Sequence, residues 1–184
     1  SWHKALRKAD KILALTPRDP NMHATKGNCL RAIGRTAKAI DSYNRSIYIA
    51  PHNDDAFFHK GLSLIHLGHF AQALRNYTPV IHFKPDDYHA YYNKGVTLAN
   101  LSQPEAALEA YKKVILIKPV YKYAYFNKAD CFKSLDKNEE AILEYNKIIQ
   151  IEPANHYAYF NKAKCLINLG LYSEAIVNNN TAIG

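Results

Sequence analysis

Three kinds of side chain in this sequence have the types to do chemistry. Cysteines Cys29, Cys131 and Cys165 are potential thiolates. Histidines His59, His66 and His69, spaced by seven and then three, are potential metal ligands. Asp54-Asp55 and Glu139-Glu140 are carboxylate pairs. None assembles into a reactive set. The cysteines are far apart, odd in number and form no CxxC pair, so neither a disulfide framework nor a thiolate zinc site follows. No cationic cluster or recurring histidine stands beside them to lower a thiol pKa, and a reducing compartment, the cytoplasm, is the expectation. His69 falls at or beyond the turn at Gly68, off the segment that carries His59 and His66. The carboxylate pairs sit at turns or helix starts, where they face the positive end of the helix dipole. No glycine loop cradles a phosphate. The expectation is therefore no catalytic residue, no cofactor and no metal.

Bulk properties narrow the partners. The 184 residues, 48% of them hydrophobic, suffice for a packed core. The net charge of +8 favours acidic partners at long range. That charge is spread along the chain rather than blocked, which disfavours nucleic acid. No apolar stretch approaches the roughly 20 residues that cross a bilayer, and the opening Ser1–Lys8 is amphipathic and charged rather than a leader.

What positions these side chains is a repeat. Pro17, Pro51, Pro85, Pro119 and Pro153 follow one another at intervals of 34 residues. With Tyr88 as position 1 of a unit, position 8 reads Gly27, Gly61, Gly95, Ala129, Ala163, and position 20 reads Ala39, Ala73, Ala107, Ala141, Ala175. Position 24 reads Tyr43, Tyr77, Tyr111, Tyr145 and then breaks at Asn179. Position 11 reads Leu30, Leu64, Leu98, Phe132, Leu166. Small residues at 8 and 20 let two helices approach closely, and an aromatic at 24 fills the space between one pair and the next. Position 15 (Gly34, Gly68, Ser102, Asp136, Gly170) suits a left-handed helix end. Pro104 fits the first turn of a second helix, and the proline at 32 stops that helix.

This pattern resembles the tetratricopeptide repeat family across essentially the whole chain. The resemblance implies an all-α, right-handed α-solenoid of antiparallel helix pairs whose concave face binds extended peptides. Units are expected at 20–53, 54–87, 88–121 and 122–155, with 1–19 a half repeat and 156–184 an incomplete one. Neither end has a polar solvating cap, so a piece of a longer array, or an array whose neighbouring segments are disordered, is expected, with exposed apolar ends that tend to self-associate.

At about 100° per residue, positions 2, 5, 6, 9, 12 and 13 of the first helix face away from its packed side, onto the concave surface. Position 6 reads Thr25, His59, Asn93, Asn127, Asn161. An amide offers donors and an acceptor, so the three asparagines either grip a peptide backbone or form a solvated or locally bonded face. The ladder is similar to that in the repeat domain of O-linked N-acetylglucosamine transferases. Phe58, Tyr92, Phe126 and Phe160 at position 5, with Tyr123 and Tyr157 at position 2, would add apolar pockets, though position 5 also borders the core. Asn28 and Lys164 at position 9 and Asn100 and Asn168 at position 13 complete the candidate surface. The two-carboxylate clamp of heat-shock adaptors in this family needs two cationic side chains in its third unit. No window here supplies them, so that partner is disfavoured.

Lysine stands at position 7 in every unit (Lys26, Lys60, Lys94, Lys128, Lys162), read as stems covering apolar neighbours with ammonium groups reaching water or a helix-end carbonyl, with a functional cationic ladder on the solenoid edge as the alternative. Pro79, inside the second helix of 54–87, is expected to kink it. The leading function is a non-catalytic scaffold or adaptor for a protein or peptide. A substrate-recruiting region of a larger enzyme such as a glycosyltransferase, and a module that assembles end to end, are the alternatives.

Overall fold

The computed structural model describes residues 1–183; Gly184, the last residue of the incomplete unit, lies outside them. Eleven helices and no strand occur among the described residues: α1 (Trp2–Leu15), α2 (Pro20–Ala32), α3 (Thr36–Ile49), α4 (Asp54–His66), α5 (Phe70–Phe83), α6 (Tyr88–Asn100), α7 (Pro104–Ile117), α8 (Lys122–Ser134), α9 (Asn138–Ile151), α10 (His156–Asn168) and α11 (Tyr172–Ile183). The fold is all-α and built from antiparallel helix pairs. Contacts divide it into two compact units that part inside α6, between Asn93 and Lys94.

Local chemistry sets each helix end. After α2, Arg35 N–H donates to Leu30 C=O at 2.8 Å and Gly34 N–H to Arg31 C=O at 3.0 Å, the paired bonds of a Schellman motif. The same two bonds recur after α4, α6, α8 and α10. They require a left-handed residue at position 15, and φ is +79° at Gly34 and +57° at both Ser102 and Asp136. Asp136 also accepts from Asn138 Nδ2 at 3.2 Å. Residues preceding the repeat prolines are extended, as a following proline ring demands (Ala50 φ −130°, ψ 91°; Lys118 φ −135°, ψ 83°). Asp19, Asn53 and Asn155 then cap α2, α4 and α10 through their side-chain oxygens. α5 runs unbroken through Pro79, with the same 14 residues as α3, α7 and α9, so the proline does not shorten it.

In the first unit the core joins Ala24, Leu30, Ala39, Tyr43 and Ala56, and then Leu64, Ala73 and Tyr77. In the second, Tyr125, Ala129, Ala141, Tyr145 and Ile148 meet Ala158 and Cys165. The position-24 tyrosines do more than fill space between pairs. A Cβ added at Gly27 would overlap the Tyr43 ring, and one at Gly61 would stand 2.8 Å from Tyr77 Cζ. Each tyrosine therefore lies on the small residue of its own pair, and Tyr43 also reaches Ala56 and His59 of the next. All four tyrosines are essentially fully buried.

Candidate functional site

Two of the position-24 tyrosines direct their hydroxyls to the residue at position 9 of their own unit. Tyr43 Oη donates to Asn28 Oδ1 at 2.8 Å. Tyr145 Oη donates to Asp130 Oδ1 at a longer 3.4 Å. Opposite Tyr77 the residue at position 9 is Leu62, and Tyr77 Oη is buried with no hydrogen-bond partner. Burial drives the Tyr77 and Tyr145 pKa values well above the usual phenol range.

In the first unit the face is aromatic and cationic. His59 stacks on Tyr43 with centroids 6.2 Å apart, while Phe58 packs edge-on against both His59 and Tyr77. His59 Nδ1 and Arg31 Nε are buried without partners. Burial first, and the Arg31 charge second, lower the His59 pKa; Asp55 opposes them. Thr25 is exposed, and Tyr92 and Asn93 are half-buried.

In the second unit a cleft of about 570 Å³ opens on the same kind of face. Asn100, Asn127, Asp130 and Ser134 supply its polar wall, and Val96 and Ala99 its apolar one. Of the residues anticipated from sequence, only Asn100 and Asn127 line it. Asp130, Val96 and Ser134 occupy positions 9 and 13, already read as facing this way, and the uneven residue types at those positions hid them. The Asp130 side chain is 63% exposed and lies 3.3 Å from Lys133 Nζ.

The asparagines are partly engaged by their own helices. Asn93 Nδ2 donates to His89 C=O, Asn161 Nδ2 to Tyr157 C=O and Asn100 Nδ2 to Val96 C=O, each at 2.8 Å. Asn161 is moreover buried. Asn168 donates to Asn138 Oδ1 at 3.1 Å, a bond between helix pairs. The aromatics divide. Phe126 is half-buried against Tyr145 and Tyr157, whereas Tyr123 and Tyr157 are exposed. Phe160, also exposed, carries Lys164 Nζ 4.4 Å from its ring centroid, a cation–π contact.

Two position-7 lysines pair with carboxylates. Lys128 Nζ pairs with Glu144 at 2.6 Å with both side chains largely buried, and Lys26 pairs with Asp10 at 2.7 Å. In the repeat of Lys60 the position that Glu144 occupies is Asn76, and burial lowers the Lys60 pKa. The cysteines are free and buried, and burial pushes the Cys131 thiol up to about 11, away from thiolate chemistry. Among the described residues no group of three or more His, Cys, Asp or Glu is placed to hold a metal ion. No described helix is long and apolar enough to cross a membrane. Asp54-Asp55 and Glu139-Glu140 lie in the first turns of α4 and α9.

Comparison with known proteins agrees with this architecture. Tetratricopeptide repeat models match residues 1–54, 88–121, 123–155 and 144–177. No curated protein matches the chain. Among solved structures, a crystal structure of MamA superposes with a TM-score of 0.85 at 23% identity, covering 89% of this chain and 90% of that one. MamA from Desulfovibrio magneticus gives 0.83 at 16% identity, with 89% and 93% covered. YrrB, described as a TPR protein with an unusual peptide-binding site, gives 0.82 at 16%, covering 95% and 90%. At these identities the likeness is one of fold. The repeated small residues, tyrosines and prolines, the helix pairs they build and the matching models place this chain in the tetratricopeptide repeat family.

Proposed function

We propose that this chain is a non-catalytic, cytoplasmic scaffold that holds an extended peptide of a partner protein on the face presented by the first helix of each pair. The observation that carries the reading is the cleft in the second unit, where Asn100 and Asn127 stand beside the apolar Val96 and Ala99. Ligand sites are concave, of about 300–1,000 Å³, and combine apolar walls with a few placed polar groups. Amides suit a peptide backbone because they meet both N–H and C=O groups. The unusual peptide-binding site of YrrB, whose fold this chain shares, supports the same reading. On this reading residues 1–184 form one array of repeats, with Asn93, Asn161, Tyr123 and Tyr157 as outlying contacts.

Peptides selected from a random displayed library on the immobilised chain test it. A selected peptide should bind the Asn100→Ala/Asn127→Ala variant about 5- to 100-fold more weakly, the loss of one or two hydrogen bonds at about 1 kcal/mol each and more if a partner group is stranded. Equal affinity for both proteins would remove the cleft as the binding surface.

A specific observation favours self-assembly as the second reading. Tyr172, Ile176 and Val177 on α11 are all at least 60% exposed, a patch that a further helix pair or a second copy would cover. Sedimentation of the chain as a monomer at all concentrations would count against that reading.

A further inference from the structure

We infer that the cleft lined by α6, α7 and α8 selects a basic side chain, lysine or arginine, in the peptide it holds. The inference rests on the peptide reading above and names the residue class that the site prefers. Among the described residues Asp130 is the one charged side chain lining the cleft, and no described lysine or arginine lines it. Its carboxylate is 63% exposed, and both described contacts, Lys133 Nζ at 3.3 Å and Tyr145 Oη at 3.4 Å, are beyond the usual range for strong hydrogen bonds. An ionised carboxylate has about four acceptor positions, so room remains for an incoming N–H donor. Val96 and Ala99 provide the apolar surface along which the methylene stem of a basic side chain lies while its charged end reaches Asp130. Asn127 and Ser134 flank that end with further polar groups.

The net charge of +8 opposes a cation at long range. Screening limits that opposition, because the Debye length is about 8 Å at physiological ionic strength. The carboxylate in contact therefore outweighs the distant lysines, with Lys133 its nearest competitor. Position 9 elsewhere is Asn28, Leu62, Val96 or Lys164, so no other repeat presents a carboxylate there.

The test selects random displayed nonapeptides in parallel on the intact chain and on Asp130→Asn, an isostere that still accepts from Tyr145. The expected result is enrichment of lysine or arginine at one peptide position on the intact chain and its loss on Asp130→Asn. For a selected peptide, changing that residue to glutamine should weaken binding at least about tenfold on the intact chain and little on the variant. Lys133→Ala, which frees Asp130, should tighten the basic peptide a few-fold. Selected peptides without a basic preference would overturn this inference and leave the peptide site standing. Failure to select any peptide would overturn both. A basic preference that survives in Asp130→Asn would also overturn it, by moving the recognition off this carboxylate.

Discussion

The first unit and the second are built from the same repeat yet treat their buried polar groups differently. Up to Asn93, the face carries three buried polar atoms without partners, Arg31 Nε, His59 Nδ1 and Tyr77 Oη, and a half-buried lysine, Lys60, with no acid at the position that serves Lys128. In the 122–155 repeat of the second unit the corresponding places hold complements: Asp130 accepts from Tyr145, and Glu144 pairs with Lys128. The signature residues therefore dictate the helix pairs, while positions 7, 9 and 23, outside the signature, decide whether the buried groups are satisfied. An unsatisfied buried hydroxyl costs about 1–3 kcal/mol, so these choices weigh as much as many core contacts.

The largest effect should come from the paired lysine. Lys128→Met leaves Glu144 largely buried without its partner and should destabilise the chain by about 3–5 kcal/mol, read by urea unfolding. Lys60→Met, which removes a desolvated charge without a carboxylate, should be neutral or stabilising. Equal losses would show that position 7 acts through its stem alone.

Next in size is the seat of the tyrosine. Gly27→Ala drives a methyl into the Tyr43 ring and should cost about 1–3 kcal/mol. Ala129→Gly, beneath Tyr145, removes a Cβ that its pair already accommodates and should cost about 0.5–1 kcal/mol, mostly chain entropy. The hydroxyls give a smaller and opposite pair. Tyr43→Phe should cost about 0.5–1.5 kcal/mol, whereas Tyr77→Phe, deleting the unpartnered hydroxyl, should leave stability unchanged or raise it.

The smallest expected effect concerns pH. The folded His59 pKa is lowered, so the unfolded chain takes up the proton first as pH falls. Stability from this group is full above about pH 6.5 and declines below it. His59→Asn, which installs the residue found at the same position in the three later repeats, should reduce the loss in denaturation midpoint between pH 7.5 and 5.5. An unchanged pH slope would assign the acid sensitivity to other groups.

Most of the fold was legible because its determinants are periodic. Small residues, tyrosines and prolines recur at 34-residue intervals, and each constrains geometry by size or by φ alone. Ser102 and Asp136 were readable as left-handed turn residues for the same reason. The site was less legible, because side-chain rotamers are not periodic. The asparagines share position 6, yet Asn127 lines the cleft while Asn161 is buried and bonded to its own helix. Asp130 belongs to no ladder, so repetition could not single it out. The Lys128–Glu144 pair joins positions 7 and 23, and no other repeat has an acid at position 23, so the lysine ladder alone could not single out Lys128.

The most direct measurement is amide chemical-shift mapping of the isotopically labelled chain titrated with a selected extended peptide. The account predicts the largest shifts at Val96, Asn100, Asn127, Asp130 and Ser134 around the cleft. Shifts confined to the second helices of the pairs, such as those around exposed Tyr48, Leu116 and Leu143, would contradict it.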